Sequence, residues 1–257
     1  MNFESSNLKC FIIHLKRAKA RKVFVDNIIK NISLKTEVIE AVDGNLLTNI
    51  EVNNILNENK AFRPKYPFKI NSGEIGCFLS HRKAWRQIVD QNLDAGLILE
   101  DDIRIDHFTF DKSLKFAIKN IKSCKYVQFQ VREIKKKYKI LKSQNELELL
   151  HPTPTLLRTS AQLVSYDAAI ELLEVTSKID RPIDTTLQMF WKTNIKCFCI
   201  NKSGITDHTF EAGGSTLSKK SSTKFETQFK IRRNIKRLIY RTKIHCFSKY
   251  KIFKETL

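Results

Sequence analysis

The 257 residues are 42% hydrophobic with only 7 Gly and 5 Pro, which suits one sizeable packed α/β domain and excludes a chain disordered throughout. The net charge of +19 is uneven: residues 219–257 hold thirteen Lys or Arg against two Glu, so +11 of it belongs to a tail and not to the whole surface. No apolar run approaches the ~20 residues that span a bilayer, and MNFESSNLKC lacks the order of charged and apolar regions of a secretory signal, so a cytoplasmic location is expected.

Leu8 to Leu15, LKCFIIHL, predicts a buried strand. A basic helix follows from about Lys16 to Asn31, with Ala18, Val23, Ile28 and Ile29 inward, and a second strand from Thr36 to Val42 closes on Asp43-Gly44. This βαβ opening predicts a mostly parallel central sheet flanked by helices. Asn45 to Lys69 is polar and ambiguous, with PKYP marking a loop, and Ser72 reads as the N-cap of a helix to about Gln91 carrying Ile75, Phe78, Leu79, Trp85, Ile88 and Val89 at helical spacing. Further on, the pattern predicts a helix from Lys112 to Ile121 and a strand from Lys125 to Val131. A Lys-rich hairpin or loop is expected over Lys135 to Lys142, then a strand from Thr159 to Ser165 and a helix from Tyr166 to Thr176. Pro182 to Trp191 predicts another helix and Ile195 to Ile200 a last strand, so the sheet is expected to be complete near residue 205. The six cysteines show neither a paired framework nor CxxC spacing, and most sit in apolar runs, as reduced core thiols would.

The run Ala95 to Asp102, AGLILEDD, is an apolar strand ending in three carboxylates. Side chains alternate along a strand, so Glu100 and Asp102 are expected on one side and Asp101 on the other. Two acids in one small volume need a compensating cation, and their oxygen donors point to a divalent metal. A solvated acidic turn is the plainer alternative. There is no GxGxxG and no GxxxxGK[ST], so phosphate would have to be held by metal and basic side chains.

The block Gly73 to Asp102, GEIGCFLSHRKAWRQIVDQNLDAGLILEDD, closely resembles the motif block of glycosyltransferase family 25. FIIHLKRAKAR with EAVDG is similar to the family's opening, TSAQLVSYDAAIELL to its middle strand and helix, and RPID to its late helix start, so about 200 residues are covered. The resemblance implies a GT-A type fold, a nucleotide-sugar donor, most often UDP-galactose, a divalent metal such as Mn²⁺, and inverting transfer to a glycan or lipooligosaccharide acceptor. His14 departs from the family's usual Asn, and GITDHTFEAGGST matches only loosely.

On that reading Glu100 and Asp102 hold the metal, which neutralises the leaving diphosphate. Asp101 would face the donor ribose or sugar, and His208, in the late segment, would be a third metal ligand. Inversion requires a base on the acceptor side. Asp184 is the candidate, because Pro182 starts its helix and the dipole there favours an ionised carboxylate; a plain first-turn Asp is the alternative. Glu74 and His81, seven apart on one helix side, form either a structural pair or part of the donor site. Asp43 would contact the nucleoside or merely close a turn. Arg17 and Arg21 would meet phosphate or uracil, or remain solvated helix charges.

The expected division is a transferase domain over 1–218 and a basic tail over 219–257. In the tail Phe225, Phe229, Ile235, Leu238 and Ile239 line one helical face beside Arg232, Arg233, Lys236, Arg237 and Arg241, which suits a helix on anionic lipid. A peripheral position on the inner face of a bacterial inner membrane follows. The competing class is a basic membrane- or nucleic-acid-binding protein with a non-catalytic GT-A fold; the terminal placement of the charge and the central acidic cluster argue against nucleic acid.

Overall fold

The apolar runs of the first half become strands covered on both faces. A computed structural model describes residues 7–56, 62–132, 134, 138–211 and 226–256, with the side chains of 226–229 and 255–256 left aside. In chain order these residues form β1 (Leu8–His14), a 3-10 turn (Lys19–Arg21), α1 (Lys22–Asn31), β2 (Thr36–Glu40), α2 (Asn49–Ile55), α3 (Ser72–Asp90) and β3 (Ala95–Glu100). There follow β4 (Ile103–Ile105), α4 (His107–Cys124), β5 (Tyr126–Phe129), β6 (Tyr138–Gln144), β7 (Leu147–Pro152), β8 (Ala161–Ser165) and α5 (Tyr166–Val175). The last elements are α6 (Ile183–Leu187), α7 (Phe190–Thr193), β9 (Phe198–Ile200), β10 (Ile205–Asp207) and α8 (Glu226–Thr256).

One eight-stranded sheet has the order β2-β1-β3-β8-β5-β9-β7-β6. Six of those strands run in one direction, and β8 and β7 oppose them. In β1 and β3, Cys10, Ile12, Leu97 and Leu99 join a core with α1 and α4, while Phe11, Ile13 and Ile98 join a second core with α3 and α5. Burial on both faces explains why these strands read as continuous apolar runs with no alternation. Because β1 pairs with β2 on one side and β3 on the other, the carboxyl ends of β1 and β3 form the topological switch point, where open α/β sheets place their ligands.

Several boundaries differ from the sequence reading. α1 starts only after the 3-10 turn, so its buried positions are Val25 and Ile28, and Val23 and Ile29 face water. Asn71, not Ser72, caps α3: its side chain accepts from the Glu74 amide while Glu74 accepts from the Asn71 amide. The ambiguous segment contains α2, opened by a second capping box, Thr48 with Glu51. α4 begins at His107, the expected helix over 182–191 is two short ones, and the last expected strand shrinks to Phe198–Ile200. The Lys-rich stretch does form a hairpin, with β6 exposed along its length and β7 as its partner; Lys135 to Lys137 lie outside the described residues. Cys10, Cys124, Cys197 and Cys199 are buried thiols, whereas Cys77 is half-buried and Cys246 exposed.

Two glycines bring α3 against the end of β2. A Cβ on Gly76 would lie 2.5 Å from the Val42 carbonyl oxygen and 2.7 Å from the Gly44 nitrogen, and one on Gly44 would meet the Ser72 carbonyl at 1.7 Å. Gly76→Ala is expected to destabilise the fold by about 1–3 kcal/mol through this overpacking, read as a lower urea midpoint at unchanged slope.

The basic helix α8 is docked on the domain. Tyr240, Ile244 and Ser248, four apart, form its buried stripe, and Phe247 stacks on Trp191 at 5.8 Å. Arg181, fully buried, makes a fork to Asp180 at 2.7 and 2.9 Å and donates to the Tyr240 hydroxyl at 2.9 Å and the Pro64 carbonyl at 3.1 Å. The apolar face expected from the sequence is a different one. Its described members Ile235, Leu238 and Ile239 are 52%, 66% and 49% exposed, while the side chains of Phe225 and Phe229 lie outside the described residues.

Candidate active site

The acidic end of β3 lies at the switch point. After Glu100 the backbone leaves the strand in a turn, and the three carboxylates separate as alternation requires. Asp101 is buried and turned to the β1 side, where it accepts from Arg21 at 2.6 Å and bonds His14 Nδ1 at 2.7 Å. Glu100 and Asp102 face a cavity of about 420 Å³. Asp102 lies 3.3 Å from Arg21 and accepts from the Thr209 hydroxyl at 3.1 Å.

Glu100 is held by partners from two places, α3 and the segment that leads into β8. His81 Nε2 lies 3.1 Å from it, and the hydroxyls of Thr159 and Ser160 donate to it at 3.0 and 3.4 Å. A buried relay stands behind the imidazole: the Tyr126 hydroxyl donates to Gln162 Oε1, which turns the Gln162 amide N–H toward His81 Nδ1 at 2.8 Å. That network assigns the proton to His81 Nε2, so His81 donates to Glu100 and fixes its orientation. Burial works to raise the Glu100 carboxyl, yet the His81 and Thr159 bonds and the Arg158 charge hold it below its ordinary value. Asp102 goes the other way, pushed up to about 6 by burial and then by the negative charge of Glu100. A carboxylate so placed gains from a cation. The pair therefore fits a divalent ion with oxygen ligands, with Asp101 already compensated by Arg21.

A second cavity of about 120 Å³ shares Cys77, Glu100 and Asp102 with the first and is bordered by Arg17, Arg21, Asp43, His81 and Asp101. Arg21 is thus no solvated helix charge, being buried against Asp101 and Asp102, whereas Arg17 pairs with Asp43 but stays half exposed to water. Burial opposes ionisation of Asp43, but the Arg17 bond and the Asn45 amide hold its carboxyl low. Glu74 and His81 do not pair with each other; Glu74 lines the larger cavity while closing the capping box, and burial raises its carboxyl.

Asp184 also lines the larger cavity, in the first turn of α6. The helix-end argument expected its carboxyl to be held low. Burial overrides it and raises it, with the Arg158 and Thr185 amides opposing and Glu100 adding to the rise. Five residues make too short a helix for a strong dipole. His208 contributes its backbone and not its ring: its amide donates to the Asp102 carbonyl at 2.9 Å, while Nδ1 is 2.5 Å from Glu211. Its neighbour Thr209 is the side chain that reaches Asp102. Cys77, His81 and Glu100 offer ligand atoms within 4.8 Å of one another, but burial and surrounding carboxylates push the Cys77 thiol well up, so a thiolate there is disfavoured.

Sequence reasoning missed Thr159, Ser160, Gln162 and Tyr126 around Glu100. The signal was present in TSAQ, polar groups spaced along an otherwise apolar strand. It also missed Arg158, which borders the large cavity in a positive-φ conformation (+84°), and the contribution of Arg237, Tyr240 and Arg241 from α8 to the cavity wall.

Residues 7–187 match the family model described as "Glycosyltransferase family 25 (LPS biosynthesis protein)". Among curated proteins the chain is similar to procollagen galactosyltransferase 2 of Homo sapiens, 34% identical over 113 residues, which is 43% of this chain and 18% of that protein. It is also similar to a glycosyltransferase 25 family member of Drosophila pseudoobscura pseudoobscura, 39% identical over 103 residues, 38% of this chain and 16% of that one. The match thus spans less than a fifth of these relatives. Among solved structures, glucosyl-3-phosphoglycerate synthase from Mycobacterium tuberculosis, determined with Mn²⁺, UDP-glucose and phosphoglyceric acid, superposes with a TM-score of 0.35 at 11% identity, covering 75% of this chain and 81% of that one.

Proposed function

Because the chain belongs to glycosyltransferase family 25, we propose that it moves a hexose, galactose first among candidates, from a UDP-sugar to a glycan or lipooligosaccharide acceptor, with inversion and with a divalent metal, Mn²⁺ by preference. The observation that carries this reading is the meeting of two cavities across Glu100 and Asp102 at the sheet's switch point. The smaller one, with Asp43, Arg17 and Arg21, suits the nucleoside diphosphate. The larger one suits the sugar and the attacking hydroxyl. Glu100 and Asp102 would hold the metal, which when bound supplies positive charge to the departing diphosphate.

The chain's own residues do the rest. The relay from Tyr126 to His81 keeps Glu100 in place, and Arg21 neutralises Asp101 so that the charge deficit falls on the cavity side. Asp184 accepts the proton of the acceptor hydroxyl as it attacks. A screen of nucleotide sugars with and without Mn²⁺, read as nucleotide release, tests the assignment. UDP-galactose with Mn²⁺ is expected to be the best pair, and turnover confined to a nucleotide other than UDP overturns it.

The exposed side of α8 supports a peripheral membrane position at the inner face of a bacterial inner membrane. Ile231, Ile235, Leu238 and Ile239 are exposed there beside Arg232 and Lys236, and each basic residue near anionic lipid contributes ~1 kcal/mol. Leu238→Glu in the full chain is expected to release the protein from phosphatidylglycerol vesicles in a sedimentation assay. Equal sedimentation of both forms removes the membrane assignment.

A further inference from the structure

Past Asp184 the larger cavity continues into a wide groove of about 1160 Å³, sharing Leu157, Arg158, Asp184, Gln188 and Arg241 with it. The two open into each other at the side chain placed to take the acceptor's proton. The groove is charged in one sense: Arg132, Arg158 and Arg241 border it, and Asp184 at the shared mouth is the only carboxylate on its wall among the described residues. Arg132 and Arg158 converge on one oxygen of Asp207, at 2.8 and 2.7 Å, so two guanidiniums share a single carboxylate. Arg241 is exposed and has no acidic partner among the described residues.

A neutral sugar needs no such surplus. Guanidinium forks match the oxygens of a phosphate or carboxylate in pairs, and partly sheltered positions strengthen the contact. The donor diphosphate does not account for Arg132, which borders neither the cavity bearing Arg17 and Arg21 nor the one over Glu100 and Asp102. Leu156, Leu157 and Ile244 supply apolar wall on which a sugar ring can rest.

Resting on the transferase reading above, we propose that this groove is an acceptor subsite selective for a glycan bearing a phosphate or carboxylate. Arg241 and Arg132 hold the anion while the hydroxyl to be glycosylated reaches Asp184. The basic C-terminal helix is then part of the substrate-binding surface, its Arg241 serving both cavities.

The test is calorimetric titration of the full chain, with UDP and Mn²⁺ present, using lactose, a phosphomonoester of lactose and sialyllactose. Both anionic sugars are expected to bind at least about tenfold tighter than lactose, a difference of ~1.4 kcal/mol, and the Arg132→Gln/Arg241→Gln variant to bring all three within about twofold. Should the double variant lose UDP affinity through misfolding, Arg132→Gln alone, which borders the groove and not the cavity over Glu100 and Asp102, carries the comparison and is expected to reduce the preference by more than half. Anionic sugars binding no tighter than lactose, or an undiminished preference in the folded variant, overturns the proposal. The transferase reading fails separately, on absence of nucleotide release from every donor, and this titration decides the groove in either case.

Discussion

Asp102→Asn is expected to lower metal-dependent transfer by on the order of 10²–10³-fold, the range seen when one preorganised stabiliser of developing charge is removed. Asn is nearly isosteric and can still accept from Thr209, so the loss is of charge and not of shape. Mn²⁺ affinity, followed by paramagnetic resonance with UDP present, should fall with the rate; a Mn²⁺-dependent rate within tenfold of the parent would show the ion is held elsewhere. The neighbouring Asp101→Asn separates the two roles of the triplet. Asp101 is the nearer buried counter-ion of Arg21 and the partner of His14, so its removal takes one buried partner from each while Arg21 keeps Asp102 at 3.3 Å, and should cost about 1–3 kcal/mol of stability. One acid is expected to register in turnover and the next in the denaturation midpoint.

That separation was readable in part from the chain itself. Strand alternation at AGLILEDD was enough to send Asp101 away from its neighbours, and burial on both faces made β1 and β3 visible as unbroken apolar runs. Elements whose existence depends on distant pairing were harder. β6 is exposed along its length and rich in Lys, and is a strand only because β7 bonds to it; β4 and β10, three residues each, define one another. Thr159, Ser160 and Gln162, which join His81 in orienting Glu100, come some sixty positions later, brought alongside by the antiparallel register that pairs Ile98 with Gln162. No local pattern carries that register. For α8 two faces competed: the larger, more basic one was evident from spacing, while the docked stripe of Tyr240, Ile244 and Ser248 includes a tyrosine and a serine and so lacked an apolar signature. The His208 ring turns its Nδ1 to Glu211 while its backbone joins the turn at Asp102, a placement set by the distant pairing of β10 with β4.

Asp184→Asn is expected to reduce acceptor-dependent transfer by about 10²–10⁴-fold, the contribution of a placed general base. The amide oxygen of Asn can still accept from the Arg158 N–H, which lies 3.4 Å from the carboxylate, so the loop that divides the cavity from the groove should keep its course. The pH profile distinguishes a base from a merely structural first-turn acid. Burial raises the Asp184 carboxyl above its ordinary range, and only the ionised form accepts a proton, so the parent rate should fall on acidification at a pH higher than an exposed aspartate would dictate. Raising the pH through that value ionises the group and restores the rate. The Asn variant has nothing to ionise and should lose that limb while retaining its residual rate. Persistence of the limb in the variant would assign it to Asp102, whose carboxyl is pushed up to about 6, or to Glu74, which lines the same cavity and is likewise raised by burial, but whose carboxylate is already engaged by the Asn71 amide at the start of α3.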